Sequence, residues 1–267
     1  MYPEVLKEHI IKCKAATRKP FAMNVPLLYP NISEHIQIII DNNVPIVFTS
    51  AGNPKTYTSV FKAAGIKVVH VVSSSKFAQK AEAAGCDAVV AKGFEAGGHN
   101  GREETTSFVL IPAVKEKVTV PVIAAGGIAT GRQMLAAMIL GASAVQIGSR
   151  FIASHEASCH LNFKNAVISS QEGDTELSLK KLTPVRLLKN NFYNQVKSAE
   201  NQNASVEELI QLLGRGRYKK GMFEGNMNDG ELEIGQVSTL IKSILPAADI
   251  VNEIWAEYNM VINGLHK

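Results

Sequence analysis

Three glycine-rich stretches hold the residues whose types and spacing could do chemistry. In Glu95-Ala96-Gly97-Gly98-His99-Asn100-Gly101 a histidine stands among glycines that would let backbone amides approach a ligand closely. Imidazole titrates near neutrality, so His99 could take or give a proton at a substrate carbon. Taken alone, the same stretch also reads as a turn carrying a solvent-exposed histidine. Ala124-Ala125-Gly126-Gly127-Ile128 and Gln146-Ile147-Gly148-Ser149-Arg150 form the other two. Amides of a Gly-Gly turn ahead of a helix favour an anion, and Ser149 adds a hydroxyl. Two such turns after consecutive strands point to a phosphate-bearing ligand more strongly than either does alone.

The elements that must position these stretches are short apolar runs at 21–25, 45–49, 66–72, 88–91, 121–124 and 144–147, rich in β-branched residues. They lack polar alternation, as strands buried on both faces should. Their spacings of roughly 20 to 34 residues suit repeated strand–helix units, hence a parallel sheet or barrel with its site in the loops after the strands. Helix signals fall between them. Asn53-Pro54 opens a helix that Gly65 ends, with Tyr57, Val60, Phe61 and Ala64 on one apolar face. Asn31 with Glu34, and Thr130 with Gln133, have capping-box spacing, and Gly85 and Gly141 sit at helix ends.

After Arg150 no further strand is convincing. Helical patterns at 206–213, 237–245 and 247–262 are read as a helical lid or subdomain, so 1–150 is expected to be the barrel portion and 151–267 the subdomain. Trp255, with Ile254 and Met260, is assigned to the core of the last helix. His70 is read as structural, His155 and His160 as surface residues, and the basic cluster Arg215, Arg217, Lys219 and Lys220 as a solvated loop.

With 267 residues, 46% hydrophobic and 19% charged, the chain can bury a full core. A net charge of +4 with scattered basic residues mildly favours anionic ligands and argues against nucleic acid. Cys13, Cys86 and Cys159 are too few and too scattered for a disulfide framework or a zinc site. No apolar run approaches the roughly 18 residues of a membrane span, and no signal peptide is evident, so a cytoplasmic protein is expected.

The set Pro20-Phe21-Ala22-Met23-Asn24, the histidine stretch, the Gly126-Gly127 stretch and Gln146–Arg150, in this order, resembles the nitronate monooxygenase family, also called 2-nitropropane dioxygenases. Flavin-dependent enoyl-acyl carrier protein reductases carry the same motifs. The resemblance extends to a late Gly235-Gln236 turn. It implies a TIM-type (β/α) barrel binding FMN, with Asn24 and Gly97 at the flavin and Gly98 and Gly126 beside them. Gly127, Gln146, Ile147, Gly148 and Ser149 would hold the FMN phosphate. His99 would take the α-proton of a nitroalkane, or orient a nitronate, which oxygen then converts to a carbonyl compound and nitrite.

Two positions depart from the family pattern. Ala22 stands where the family usually has Gly, and Lys92 where a Gln or Glu touches the flavin, so Lys92 is counted with the cofactor residues either paired to an anionic flavin or crowding it. The family also begins with two more strands, so the six strands counted here suggest an N-terminally truncated barrel. A misassigned start or a truncation is favoured over a partner chain that closes the gap, and exposed sheet edges are compatible with a homodimer. The alternatives to nitronate oxidation are an NAD(P)H-dependent enoyl-acyl carrier protein or quinone reductase, and a non-catalytic barrel without flavin.

Overall fold

The structure, a computed structural model, describes residues 2–265. Each of the six apolar runs becomes a strand: β1 Ala22–Pro26, β2 Ile46–Ser50, β3 Lys67–Val72, β4 Ala88–Lys92, β6 Val122–Ala125 and β7 Ala144–Gln146. A two-residue strand, β5 Gly98–His99, lies between β4 and β6. The six form one sheet in the order β1-β2-β3-β4-β6-β7. Chain contacts divide into two compact units, one of residues up to 91 with 113–123, the other of residues 92–112 with 124 onward.

In the first unit β1 to β4 pair in parallel, each with the next along the chain, which requires a crossover after every strand. Helices Ile32–Asp41, Thr58–Ala63 and Ser75–Ala83 make those crossovers. The unbroken apolar character of β4 follows from its position, since Ala88 to Ala91 are all buried. His70 is structural: its ring lies 2.7 Å from Thr49 Oγ1, and burial pushes its pKa down to about 4, which keeps it neutral.

Local capping signals are met at some of the expected positions and not at others. Thr130 Oγ1 accepts from Gln133 N, while Gln133 Oε1 reaches one residue further back, to Ala129 N. Asn31 makes no side-chain cap, so the Asn31–Glu34 box does not form; the His35 ring bonds Asn31 O instead. The Asn53 side chain accepts from Lys55 N, but the segment splits into a short 3-10 turn, Pro54–Thr56, and the helix Thr58–Ala63.

The second unit corrects the reading of residues after 150. Beside helices Leu161–Ser169, Asn191–Asn201, Val206–Leu213 and Ala247–Gly264 it contains two strands, β8 Thr175–Ser178 and β9 Val185–Leu188. These form an antiparallel sheet with β5, in the order β5-β9-β8. The 237–245 pattern is a 3-10 turn, Gln236–Leu240, rather than an α-helix. Trp255 and Met260 are exposed; the last helix buries Ile250 and Ile254, while Trp255 stacks on Tyr258. Arg217 is no solvated residue either. It donates to Leu212 O and Leu213 O, carbonyls left over at the end of Val206–Leu213, and lies over Phe192.

The core of this unit gathers Phe163, Val167, Leu232, Ile234 and Val237. Phe163 is fully buried there. Phe163→Ala is expected to lower unfolding free energy by about 3–5 kcal/mol, read by chemical denaturation.

Candidate active site

The histidine stretch is held in place at both ends. Gly93 N donates to Ala125 O at 2.8 Å and Phe94 N to Thr105 O at 2.9 Å. The Glu95 carboxylate accepts from Ser107 N at 2.9 Å and from Ser107 Oγ at 3.0 Å. Ser107 opens helix Ser107–Lys115, so Glu95 satisfies an orphan N–H of that helix from outside it. The same Ser107 hydroxyl lies 3.0 Å from Gly126 O. One carboxylate thereby ties the histidine stretch to the Gly-Gly turn.

Gly97 has a packing reason to lack a side chain. A Cβ there would stand 2.5 Å from Ile234 C and 2.6 Å from Gly235 N, both backbone. Gly235 answers with its own close approach, 2.9 Å from Glu95 O to the place of its missing Cβ, and Gln236 N donates to Glu95 O at 2.9 Å. The late Gly235-Gln236 turn is thus the bed on which the histidine stretch lies.

His99 stands on β5, which pairs with β9, His99 opposite Val185 and Gly98 opposite Arg186. Its side chain is exposed. Asn100 Nδ2 donates to Ala96 O and Gly98 O, and Asn100 N to Pro184 O. Behind them Arg186, 1% exposed, donates from Nε and Nη2 to Phe94 O and covers the Phe94 ring at 4.4 Å. Burial pushes the guanidinium pKa down, against the pull of Glu95, Glu104 and Glu176. Sequence reasoning missed Arg186 because Val-Arg-Leu-Leu carries no turn or period signal; only a buried-looking arginine inside an apolar run could have drawn notice.

Lys92, at the end of β4, points under this stretch. Its ammonium donates to Gly97 O at 3.2 Å and His99 O at 2.8 Å. Burial pushes its pKa down and Glu233 opposes that. The Glu233 carboxylate fills the space a side chain on Gly98 would need. Two residues away Glu231 is buried, and burial, then Glu233, pushes its carboxyl up to about 7.

The two anion-type turns lie in the same unit. Gly126 and Gly127 have φ of +97° and +70°, a left-handed pair that favours glycine at both positions. Helix Gly131–Ile139 begins just beyond. At the end of β7 Gln146 is exposed, and beyond it Ile147 is half-buried and Gly148 exposed. Ser149 Oγ accepts from Gly235 N at 3.0 Å, which orients the hydroxyl and leaves its hydrogen free to donate elsewhere. A Cβ on Gly148 would meet nothing within 4 Å, so backbone at this turn faces open space.

Of the expected site residues, Lys92, Gly97, Gly98, His99, Gly126, Gly127, Gln146, Ile147, Gly148 and Ser149 belong to the second unit. Asn24 belongs to the first, exposed on β1 opposite Phe48. Parallel β/α units with glycine turns after the strands are a barrel-type arrangement, and the comparisons with known proteins make the chain a flavin-dependent oxidoreductase. A profile described as nitronate monooxygenase matches residues 29–257, and the chain belongs to that family. A Staphylococcus saprophyticus protein named "Probable nitronate monooxygenase" is 30% identical, the match covering 96% of this chain and 76% of that one. A Rhodococcus jostii (3aS,4S,5R,7aS)-5-hydroxy-7a-methyl-1-oxo-octahydro-1H-indene-4-carboxyl-CoA dehydrogenase is 28% identical over 97% of this chain and 84% of its own length. Among solved structures, FabK of Thermotoga maritima matches with a TM-score of 0.94 and 38% identity, covering 100% of this chain and 84% of that chain. Nitroalkane oxidase of Streptomyces ansochromogenes matches with a TM-score of 0.83 and 25% identity, covering 98% and 87%. The family is one of flavoproteins, and the residues present are of types that fit such a group: a left-handed Gly-Gly turn, an oriented hydroxyl and open space at Gly148, all in one unit. No helix among the described residues is long and apolar enough to cross a membrane.

Two outcomes follow from this geometry. Gly97→Ala must push the histidine stretch off the 234–235 backbone, with an expected loss of about 3 kcal/mol in thermal or chemical unfolding. Because Glu231 has a folded pKa of about 7 against an ordinary 4.5, the native state keeps a proton that the unfolded chain has lost between those values. Stability therefore falls as pH rises from 4.5 to 7, and Glu231→Gln should flatten that slope in pH-dependent melting curves.

Proposed function

We propose that the chain binds FMN and oxidises alkyl nitronates or nitroalkanes with oxygen, giving a carbonyl compound and nitrite. The observation that carries this reading is an exposed His99, paired through β5 with β9, in the same unit as two glycine turns. Gly127, Gln146, Ile147, Gly148 and Ser149 would hold the phosphate, while Gly97, Gly98 and Gly126 would lie at the flavin. The flavin supplies the electron chemistry when bound. His99 takes the α-proton of a neutral nitroalkane, or orients the nitronate when that is offered instead. A positioned base of this kind contributes roughly a hundred- to ten-thousand-fold. The substrates are small molecules and oxygen, and a cytoplasmic, dimeric protein agrees with this reading.

The likeness to FabK favours a second reading, an NAD(P)H-dependent enoyl-acyl carrier protein reductase or quinone reductase. Oxidation of NAD(P)H in the absence of any nitronate separates the two. His99→Ala is expected to lower turnover of neutral nitroalkanes by at least about a hundredfold while the protein keeps its FMN. Unchanged nitroalkane turnover in that variant removes His99 from the mechanism.

A further inference from the structure

Lys92, which the family resemblance counts among the cofactor residues, is a charged side chain placed under the histidine stretch. Its ammonium touches two carbonyls that flank Gly98, Gly97 O at 3.2 Å and His99 O at 2.8 Å. It therefore closes a clasp across the residue on the N-terminal side of the histidine and the histidine itself. Charge-assisted bonds to carbonyls are the stronger kind. Burial pushes the ammonium pKa down, and the nearby Glu233 carboxylate acts against that. The clasp acts on the main chain of His99 from the β4 side, while β9 pairs with the same residue along its other edge.

We propose that Lys92 is the positioning residue for His99: it fixes the backbone from which the imidazole meets the substrate, and so sets the rate at which neutral nitroalkanes are deprotonated. This deepens the reading of His99 as the base and rests on it. In the step concerned the α C–H bond of the nitroalkane breaks and its proton passes to an imidazole nitrogen of His99. The electron pair stays with the substrate, delocalised onto the nitro group as the nitronate. A nitronate supplied ready-made skips this step. A clasp that serves the base therefore matters for one substrate form and little for the other.

The test is Lys92→Met, compared with wild type and with His99→Ala on a nitroalkane and on its preformed nitronate, each with bound flavin measured. Misplacing a catalytic group by about 1 Å costs on the order of a hundredfold. Lys92→Met, with rates taken per bound flavin, is expected to lose about that factor more on the nitroalkane than on the preformed nitronate. Amide hydrogen exchange at residues 97–100, followed by mass spectrometry on the flavin-bound protein, should quicken. Three results overturn the proposal: unchanged nitroalkane turnover, equal loss on both substrates, or unchanged exchange at 97–100. A variant that fails to fold counts with these, since Lys92 would then serve the fold. If His99→Ala also leaves nitroalkane turnover intact, the assignment of the base fails along with its clasp. If only Lys92→Met leaves it intact, the clasp alone fails. The exchange measurement reads the clasp whichever reaction the enzyme performs.

Discussion

Gly97 and Gly235 pass so closely that neither position has room for a β-carbon, and the rest of the site depends on that approach. The contact is backbone against backbone, 2.5–2.6 Å from where a Gly97 side chain would begin, so it cannot be relieved by a rotamer change. Because of it the stretch after β4 lies flat on the 234–236 turn. Glu95 O is then within reach of Gln236 N, and Ser149 Oγ within reach of Gly235 N. The strand-end loops that bear the histidine and the seryl hydroxyl thus share one support. The Glu95 carboxylate, through Ser107, adds the Gly126 turn to the same assembly.

Two buried or half-buried arginines in this unit hold main chain in place. Arg186 spends its donors on Phe94 O and Thr175 and lies over an aromatic face. Arg217 spends its donors on helix-end carbonyls and Asp229 O. Both hold main chain that has no regular ladder partner, and the planar guanidinium suits that task because its donors are fixed in direction. Glu176, by contrast, is a partly exposed carboxylate gripped by Lys197 and the Tyr193 hydroxyl, which hold its pKa down to about 2. It pins helix Asn191–Asn201 to β8, and so steadies β9 and the short strand that carries His99.

What the sequence made legible follows from the range of the forces involved. All six apolar runs became strands of one sheet, and in β3, β4 and β6 burial on both faces explains the run, whereas β1 and β7 keep exposed positions. The glycine-rich stretches were readable as motifs, yet the reason for Gly97 was not: its constraint comes from Gly235, far along the chain. β8 and β9 escaped notice because Thr-Glu-Leu-Ser and Val-Arg-Leu-Leu are four residues long, with a glutamate and an arginine whose partners lie elsewhere. Trp255 misled because size and apolarity argue for burial, whereas helix Ala247–Gly264 turns Ile250 and Ile254 inward and leaves Trp255 on the adjoining face. Family membership was legible from motif order, and the match over residues 29–257 agrees with it.

One unit carries the exposed His99, the left-handed Gly126-Gly127 turn and the Ser149 hydroxyl, and uptake of FMN by this chain is what we propose from them. The most direct test is the visible absorption spectrum of the purified 267-residue protein, followed by release of the bound flavin and its identification by mass. The account predicts a yellow protein that releases FMN in near-equal amount to the chain. A folded, colourless protein that fails to take up added FMN would contradict it.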